Sequence, residues 1–500
     1  MRRSVIQAAF LGLALQTLVW AKNPLVGAAE AQDRNAVLKL IAQKADVNGA
    51  DSDGTTALHW AAHYGDAELV DKLIAAGAKA KVTNAYGSSP MYEAAMAGNV
   101  PIMEKLLKAG ADPDSPNGDG ETALMLVSRN SDLAAVKLLL DHKANVNAVE
   151  QFRGQTALMR AAAQSQPAVV RELIAHGAQV NAISNVNNWD RQVTGEPRAV
   201  YRPAGGLTAL LYAGREGCLD CVKALVEGGA DVNLADPEGV TPLIISITNT
   251  HFDIGAYLLS KGANPNKWDW WGRTPLYEAV DLNTLPHGGR PDSPSLDATT
   301  SLKMIELLLN AGANPNMQLK LLPPFRSVGA DRGVDSMLSI GTTPLLRAAK
   351  GLDAPAITLL VKAGAKVNLP NAQNIYPIQA AAGMGSVDAD TRGWFTTPDT
   401  QQRSIAALEV LLNAGADINL PGGRRNQTAL HGAAFWGWND VLQYLVKKGA
   451  KLDVKDAQGN TVVDAAMGRA GGNSRGGQRI DVHQDTAELL VKLGAPGPIK

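Results

Sequence analysis

Residues 54–78 read GTTALHWAAHYGDAELVDKLIAAGA, and variants of this stretch return through the rest of the chain. Its closing Gly-Ala recurs, often followed by Asp or Asn, and the steps from Gly77 to Gly110 and from Gly229 to Gly262 are each 33 residues. A fixed period of this length is typical of a stack of small repeats rather than of one globular core. An array of this kind offers a long surface, so its function should lie in whatever decorates the repeats.

The first half of the stretch carries the signals of a helix start, and the second half those of a helix end. Threonine stands where its side-chain oxygen can cap a helix in many copies, including Thr56, Thr122, Thr156 and Thr208. Proline takes the first helical position, where a missing N–H costs nothing, at Pro242, Pro275 and Pro344. Apolar residues then follow at helical spacing, as in Val136, Leu139 and Leu140, up to the glycine that can end a helix.

Together these signatures closely resemble the ankyrin repeat, which is a β-turn followed by Thr-Pro-Leu-His and two antiparallel helices. The resemblance covers the chain from about residue 28 to residue 495. It implies an all-α fold: an ankyrin-repeat α-solenoid of about 12 helix-turn-helix repeats with β-turn fingers. Each repeat would leave an apolar face that only its neighbours can cover.

The net charge bears on the class of partner, and the N-terminal residues bear on localisation. The formal net charge is −1, which argues against a general nucleic-acid binder. Arg2 and Arg3 precede a mostly apolar run from Val5 to Trp20, which predicts a signal peptide over residues 1–21 with cleavage near Ala21. We therefore expect a periplasmic or secreted protein without membrane insertion after cleavage; an uncleaved anchor is the alternative.

The period lengthens after the first third of the chain. Residues 22–183 predict a regular stack, residues 184–495 predict repeats with inserts, and residues 496–500 form a tail. The inserts are assigned to 184–205, 283–299, 317–340, 384–402 and 468–484. Two of them, 184–205 and 317–340, interrupt the β-turn, whereas the other three separate the first helix of a repeat from the second. In an ankyrin stack the two kinds would rise on opposite rims of a concave groove.

Aromatic residues and arginines gather in the part of the chain with inserts. Candidate binding residues on one finger and at one helix end are Trp268, Trp270, Trp271, Phe435, Trp436 and Trp438, the last three taken to be exposed to the groove. Arg424 and Arg425 join them, because arginine beside aromatic residues is the composition of interface hot spots. Trp189 and Trp394 lie in inserts. Two interpretations stay open: the rings contact a ligand, or they pin the inserts against the stack.

Cys218 and Cys221 form a Cys-x-x-Cys pair at the start of a second helix, where a disulfide can close. The alternatives are two small packing residues or a redox-active pair, although no thioredoxin-like pattern surrounds them. Zinc would require two further ligands, and none lies nearby in the sequence.

Other chemistry is weakly represented. His59 and His63 have zinc-like spacing but lack the glutamate of the metalloprotease motif, and His59 is also the histidine of the ankyrin signature. His287 and His483 lie in separate inserts and are the only histidines with a case for catalysis. We therefore expect no metal, no cofactor and no enzymatic activity.

The leading hypothesis is an exported, monomeric scaffold that binds a protein partner in the groove through a few buried Trp and Arg anchors. The alternative is a binder of an anionic glycan or cell-wall fragment, since Trp can stack on sugar faces and Arg can pair with carboxylates. An enzyme with a site under the inserts is the third hypothesis.

Overall fold

A computed structural model describes residues 22–188, 204–284, 295–321, 340–384, 398–469 and 482–497. These residues form helices joined in helix-turn-helix pairs and contain no strand, as the repeats predict. The first pairs are α1 Pro24–Glu30 with α2 Arg34–Ala42, α3 Ala57–His63 with α4 Ala67–Ala75, α5 Pro90–Met96 with α6 Val100–Lys108, α7 Ala123–Arg129 with α8 Leu133–Asp141, and α9 Ala157–Ala163 with α10 Pro167–Ala175.

The later pairs follow the same plan, but longer segments of chain connect some of their helices. They are α11 Ala209–Glu216 with α12 Leu219–Glu227, α13 Pro242–Thr248 with α14 Phe252–Ser260, α15 Pro275–Thr284 with α16 Ser301–Asn310, α17 Pro344–Lys350 with α18 Ala354–Lys362, α19 Pro377–Ala381 with α20 Thr400–Asn413, α21 Ala429–Phe435 with α22 Asn439–Lys447, and α23 Val462–Ala466 with α24 Gln484–Lys492. The gaps after α15, α19 and α23 contain the predicted inserts that part the first helix from the second.

Capping residues set the helix starts. Thr122 accepts from the N–H of Met125 at 3.3 Å, and Thr208 accepts from the N–H of Leu211 at 3.2 Å. Second helices often start after Asp or Asn instead; Asp66, for example, accepts from the N–H of Leu69 at 3.0 Å. Each such cap satisfies a donor that the helix itself leaves unpaired, which stabilises the helix by about 1 kcal/mol.

The core runs between the helix layers of successive repeats. In α4, Leu69, Val70 and Leu73 are buried, while Ala61 and Ala62 of α3 give the small contact surface that two close helices need. Burial of one large aliphatic side chain contributes about 1.5–3 kcal/mol, so the apolar spacing of the second helix holds adjacent repeats together.

The fingers are held by an Asn or Asp side chain within the turn and by a ladder of main-chain bonds. Asn117 Oδ1 accepts from the N–H groups of Asp119 and Glu121, both at 2.9 Å, and this closes the turn. The residue after this Asn or Asp then donates to the preceding finger: Gly118 N–H bonds Tyr86 O at 3.1 Å. Pro237 takes that donor position in its own finger and has no N–H, so it cannot contribute this bond.

An asparagine four residues after the repeat glycine forms a second ladder, which the sequence interpretation missed. Asn233 donates from Nδ2 to Gly262 O at 3.2 Å and accepts from Asn264 N–H at 2.7 Å, so one side chain bonds two groups of the next repeat. The same donation to the following repeat is made by Asn48, Asn147, Asn181, Asn266, Asn316, Asn368 and Asn419. Its fixed distance from the glycine is a signal that the sequence contains.

The chain divides into two compact units. One consists of residues up to 160 together with 175–178, and the other of 161–174 together with the residues from 179 onward. Within the described ranges, no helix combines the length and apolar character needed to cross a bilayer. The predicted signal peptide, the tail beyond residue 497, and most of each insert lie outside those ranges.

Candidate functional site

The finger of residues 267–273 is organised around Asp269, whose side chain is only 1% exposed. Its Oδ1 accepts from Trp271 N–H at 3.0 Å and from Arg273 N–H at 2.9 Å, while its Oδ2 accepts from Arg273 Nε at 2.6 Å. Arg273 also lies 3.3 Å from Glu278 Oε1 on the following helix. The buried carboxylate of Asp269 thus fixes the turn, and Arg273 neutralises its charge.

This arrangement turns two tryptophan rings outward. Trp268 is 45% exposed and Trp270 is 42% exposed, whereas Trp271 is half-buried. The main chain of the finger is bonded on both sides, because Trp270 N–H donates to Glu238 O at 2.7 Å and Lys320 N–H donates to Trp271 O at 2.9 Å. The finger is therefore positioned by backbone groups and by Asp269.

Two cations lie against the rings of this finger. The guanidinium of Arg273 is 4.9 Å from the Trp271 ring centroid, and Lys320 Nζ is 4.1 Å from the Trp268 ring centroid. Both distances are within the range of a cation–π contact. Lys320 is a functional candidate that sequence reasoning missed, because it is 52 residues further along the chain than Trp268 and the two meet only through the stacking of fingers.

The helix-end group of Phe435, Trp436 and Trp438 is arranged differently. Trp436 donates from Nε1 to Gly383 O at 2.7 Å, across 53 residues of sequence. The Trp436 and Trp438 rings stack with centroids 6.1 Å apart, and Phe435 meets Trp436 edge-on at 5.7 Å. These rings contact the main chain at Gly383, directly before the insert assigned to 384–402.

Gly383 and Gly432 make that contact possible. Gly383 has φ +81°, and a Cβ there would be 2.7 Å from Trp436 Cδ1 and 2.9 Å from Trp438 Cζ3. A Cβ at Gly432 would be 2.7 Å from the backbone nitrogen of Met384. Main chain from the preceding repeat therefore lies directly on the first helix of this one.

The expected exposure of Trp438 to the groove is wrong, because its side chain is only 5% exposed. Trp438 occupies the N-cap position of α22, where several other second helices, such as α4 and α6, have Asp or Asn. A ring cannot accept the helix N–H bonds from there, so it packs against Gly383 and Trp436 instead. Phe435 and Trp436 are half-buried. A large apolar residue at a capping position was the signal available in the sequence.

The remaining predicted binding residues, Arg424 and Arg425, lie on another finger. Arg424 is exposed, Arg425 is half-buried, and the carbonyl of Arg425 accepts from Ala457 N–H at 2.7 Å. This finger is bonded to its successor at Ala457, whereas the tryptophan finger is bonded at Glu238 and Lys320. The predicted binding residues thus fall into three groups with separate contacts: the 267–273 finger, the helix end at 435–438, and the finger that carries Arg424 and Arg425.

The sulfurs of Cys218 and Cys221 are joined as a disulfide. Cys218 is the N-cap of α12, with its sulfur 3.2 Å from the N–H of Cys221, and Cys221 is fully buried. The pair therefore combines the capping position of a second helix with one of its core positions.

His59 and His431, the histidines of the ankyrin signature, are buried within the fold. His59 Nδ1 lies 2.8 Å from Thr56 Oγ1, and its Nε2 lies 3.1 Å from Ser88 O in the next finger. Burial lowers the pKa of His59 and of His431, which keeps both rings neutral at neutral pH. His63 bonds Glu93 at 2.8 Å, so the two histidines of the zinc-like pair have separate partners.

Of the two histidines considered for catalysis, His287 lies outside the described residues. His483 is the N-cap of α24, and its ring packs where a Cβ of Gly437 would stand. Among the residues that the structure describes, no three His, Cys, Asp or Glu side chains gather as a metal site would require. Trp189, Trp394 and most of the arginines of the inserts also lie outside these residues.

The models of known protein families agree with the repeat assignment. The sequence model described as "Ankyrin repeats (3 copies)" matches residues 25–117, 91–184 and 210–319, which together exceed half of the chain, and the single "Ankyrin repeat" model matches 425–457. Among solved structures, the human ASB11 ankyrin repeat domain is 20% identical, with a TM-score of 0.39, over 48% of this chain and 99% of that domain.

Curated relatives are similar over parts of their length. Human ankyrin repeat and SOCS box protein 16 is 29% identical over 259 residues, which are 52% of this chain and 47% of that protein. Human protein phosphatase 1 regulatory subunit 27 is 48% identical over 66 residues, or 13% of this chain and 42% of that protein. The chain thus spans about half or less of these relatives. With its helix pairs, bonded fingers and matched repeats, the chain belongs to the ankyrin-repeat family, whose repeats are protein-interaction modules.

Proposed function

We propose that this protein is an exported scaffold that binds a protein partner on its finger and first-helix surface, and that it acts without catalysis of its own. The observation that carries the proposal is the pair of exposed rings on the 267–273 finger. Trp268 and Trp270 are more than 40% exposed while the main chain and Asp269 hold the turn. Large exposed rings on a rigid element are the usual anchors of protein interfaces.

The relatives support this class of function. Protein phosphatase 1 regulatory subunit 27 is described by its name as a subunit that regulates another protein, and 66 residues of this chain are 48% identical to it. In the present chain we propose that a monomer provides the surface and that the partner lies along the concave side of the repeats.

The proposed export rests on the order of Arg2 and Arg3, the apolar run from Val5 to Trp20 and the small residue Ala21. Asn23 accepts from Leu25 N–H at 2.9 Å as the cap of α1, and its own N–H donates to Asp51 Oδ1 at 2.8 Å. Residues from Asn23 onward thus belong to the repeat stack, immediately after the predicted cleavage near Ala21. Cleavage near Ala21 would leave Asn23, the N-cap of α1, in the mature chain.

Export is tested by N-terminal sequencing of the protein recovered from the cell envelope and the medium. We expect a mature chain that begins near Lys22. Recovery of the protein only from the cytosol with Met1 retained would refute the export part of the proposal.

Partner binding is tested by chemical crosslinking of the tagged full chain in the envelope fraction, followed by mass spectrometry. We expect a crosslinked protein that is lost with Trp270→Ala and kept with Tyr86→Ala. Tyr86 is a matched control because it is a fingertip aromatic in the other unit and is 72% exposed. Equal crosslinking by both variants would remove the 267–273 finger from the interface.

A further inference from the structure

We infer that Lys267, Trp268, Trp270 and Lys320, here called the finger patch, bind an acidic, extended segment of a protein partner. This inference rests on the proposed function of protein binding and adds the chemistry of the partner. It is carried by the distribution of charge over three adjacent fingers and by the way the cations cover the rings.

The exposed charge of the finger patch is positive. In fingers 236–240, 267–273 and 318–321, the acidic side chains are Asp236, Glu238 and Asp269, and none of them is exposed: Asp269 is buried and the other two are half-buried. Asp269 is neutralised by Arg273 at 2.6 Å. Lys267 and Lys320 are the exposed charged residues of the same three fingers. Among the described residues of these fingers, an acidic segment would therefore meet exposed lysines rather than exposed carboxylates.

The covered ring faces favour a polypeptide over a sugar. Stacking of a sugar needs an open ring face, and Lys320 Nζ, 4.1 Å from the Trp268 ring centroid, occupies one face of that ring. A carboxylate that approaches Lys320 would instead meet an ammonium already placed beside an apolar ring. Acidic and apolar side chains that alternate along a peptide suit that combination.

The finger patch is also held ready for binding. Trp270 N–H is bonded to Glu238 O at 2.7 Å, and Lys320 N–H is bonded to Trp271 O at 2.9 Å, so neighbouring fingers fix the chain on both sides. A surface whose backbone is already ordered loses little conformational entropy when a partner binds.

The test uses the full chain and three fluorescent probes in anisotropy titrations: a peptide of four Glu-Leu repeats, a peptide of four Lys-Leu repeats, and an oligogalacturonate of similar charge. We expect the Glu-Leu peptide to bind, with affinity that falls as salt is added. Lys320→Glu and Trp270→Ala should each weaken its binding about tenfold or more.

Lys261→Glu is the matched control, because Lys261 Nζ lies 5.4 Å over the Tyr257 ring at the end of a second helix, and neither residue belongs to the finger patch. This variant should bind the Glu-Leu peptide as the wild type does. Preference for the Lys-Leu peptide, preference for oligogalacturonate, or equal loss with Lys261→Glu would each overturn the inference.

The two proposals fail in different ways. A crosslinked partner that depends on Trp270 but is indifferent to Lys320→Glu would keep the protein-binding function and reject the acidic segment. Peptide binding through Lys320 without any Trp270-dependent partner would keep the charge preference of the patch and reject the proposed function.

Discussion

Two tryptophan-rich stretches of this chain look alike in sequence and differ in structure. In KWDWWG, residues 267–272, main-chain bonds and a buried aspartate hold the turn, and two rings are exposed. In AAFWGW, residues 433–438, the rings themselves make the contact, through the Trp436 Nε1 bond to Gly383 O and the stack with Trp438. The difference teaches that a ring is available to a partner only when something other than the ring holds its segment in place.

The largest expected effect comes from truncating the ring that makes the tertiary contact. Trp436→Ala removes the bond to Gly383 O and the stack with Trp438, so it should lower the local unfolding free energy by about 3 kcal/mol. Hydrogen exchange of the amides around residues 383–384 and in α21 and α22 measures this directly, because it reports local opening.

Trp436→Phe and Trp270→Ala sharpen the same comparison. Trp436→Phe keeps a ring and loses the hydrogen bond, so its cost should be about 1 kcal/mol. Trp270→Ala should cost less than about 1 kcal/mol, because the ring is 42% exposed and the finger is bonded through its main chain. Equal losses from Trp436→Ala and Trp270→Ala would erase the distinction between the two stretches.

An intermediate effect is expected from the carboxylate that holds the finger. Asp269→Asn keeps an oxygen for the N–H groups of Trp271 and Arg273 but removes the charge that pairs with Arg273 at 2.6 Å. We expect a loss of about 2 kcal/mol in local stability, since the half-buried Arg273 loses one of its two carboxylate partners. If Asp269 positions the exposed rings, Asp269→Asn should also weaken binding of the Glu-Leu peptide. Unchanged hydrogen exchange of the finger amides in this variant would contradict the expected loss of stability.

A small effect of the opposite sign is expected from Asp236. Burial raises the pKa of the Asp236 carboxyl from 3.8 to about 6, although the N–H groups of Val240 and Glu238 act against this. Because the folded protein holds this proton more tightly than the unfolded chain does, the contribution of Asp236 to stability falls as the pH rises from about 4 to about 6. Above that range the ionised carboxylate remains in an unfavourable site.

Asp236→Asn should therefore stabilise the protein by about 1 kcal/mol at pH 7, with the gain vanishing below about pH 4. Asn117 already makes the corresponding pair of bonds in another finger, so the amide fits the turn. Thermal unfolding of wild type and variant across this pH range provides the measurement. A variant that is less stable than the wild type at pH 7 would show that Asp236 is needed as an anion.

Local sequence predicted the repeat fold well. The 33-residue step, the threonine caps and the apolar spacing of the second helix are signals within one repeat, and the helix pairs follow them. The asparagine ladder was predictable too, because Asn233 and its equivalents keep a fixed distance from the glycine, but that regularity was overlooked.

The candidate site could be predicted only in part. The tryptophans of the 267–273 finger were identified by composition, whereas Lys320 was not, because its distance to Trp268 depends on how one finger stacks on the next. The exposure of Trp438 was predicted wrongly because a helix-end position in one repeat says nothing about which main chain from the preceding repeat lies on it.

The sequence by itself thus determined what each repeat makes: two helices, a capped turn and an apolar face, all built from interactions within a few residues. Only the tertiary structure decided which aromatic rings are exposed and which cations cover them. The physical reason is distance along the chain: burial of Trp436 depends on Gly383, 53 residues away, and the charge beside Trp268 comes from a finger on the far side of another helix pair.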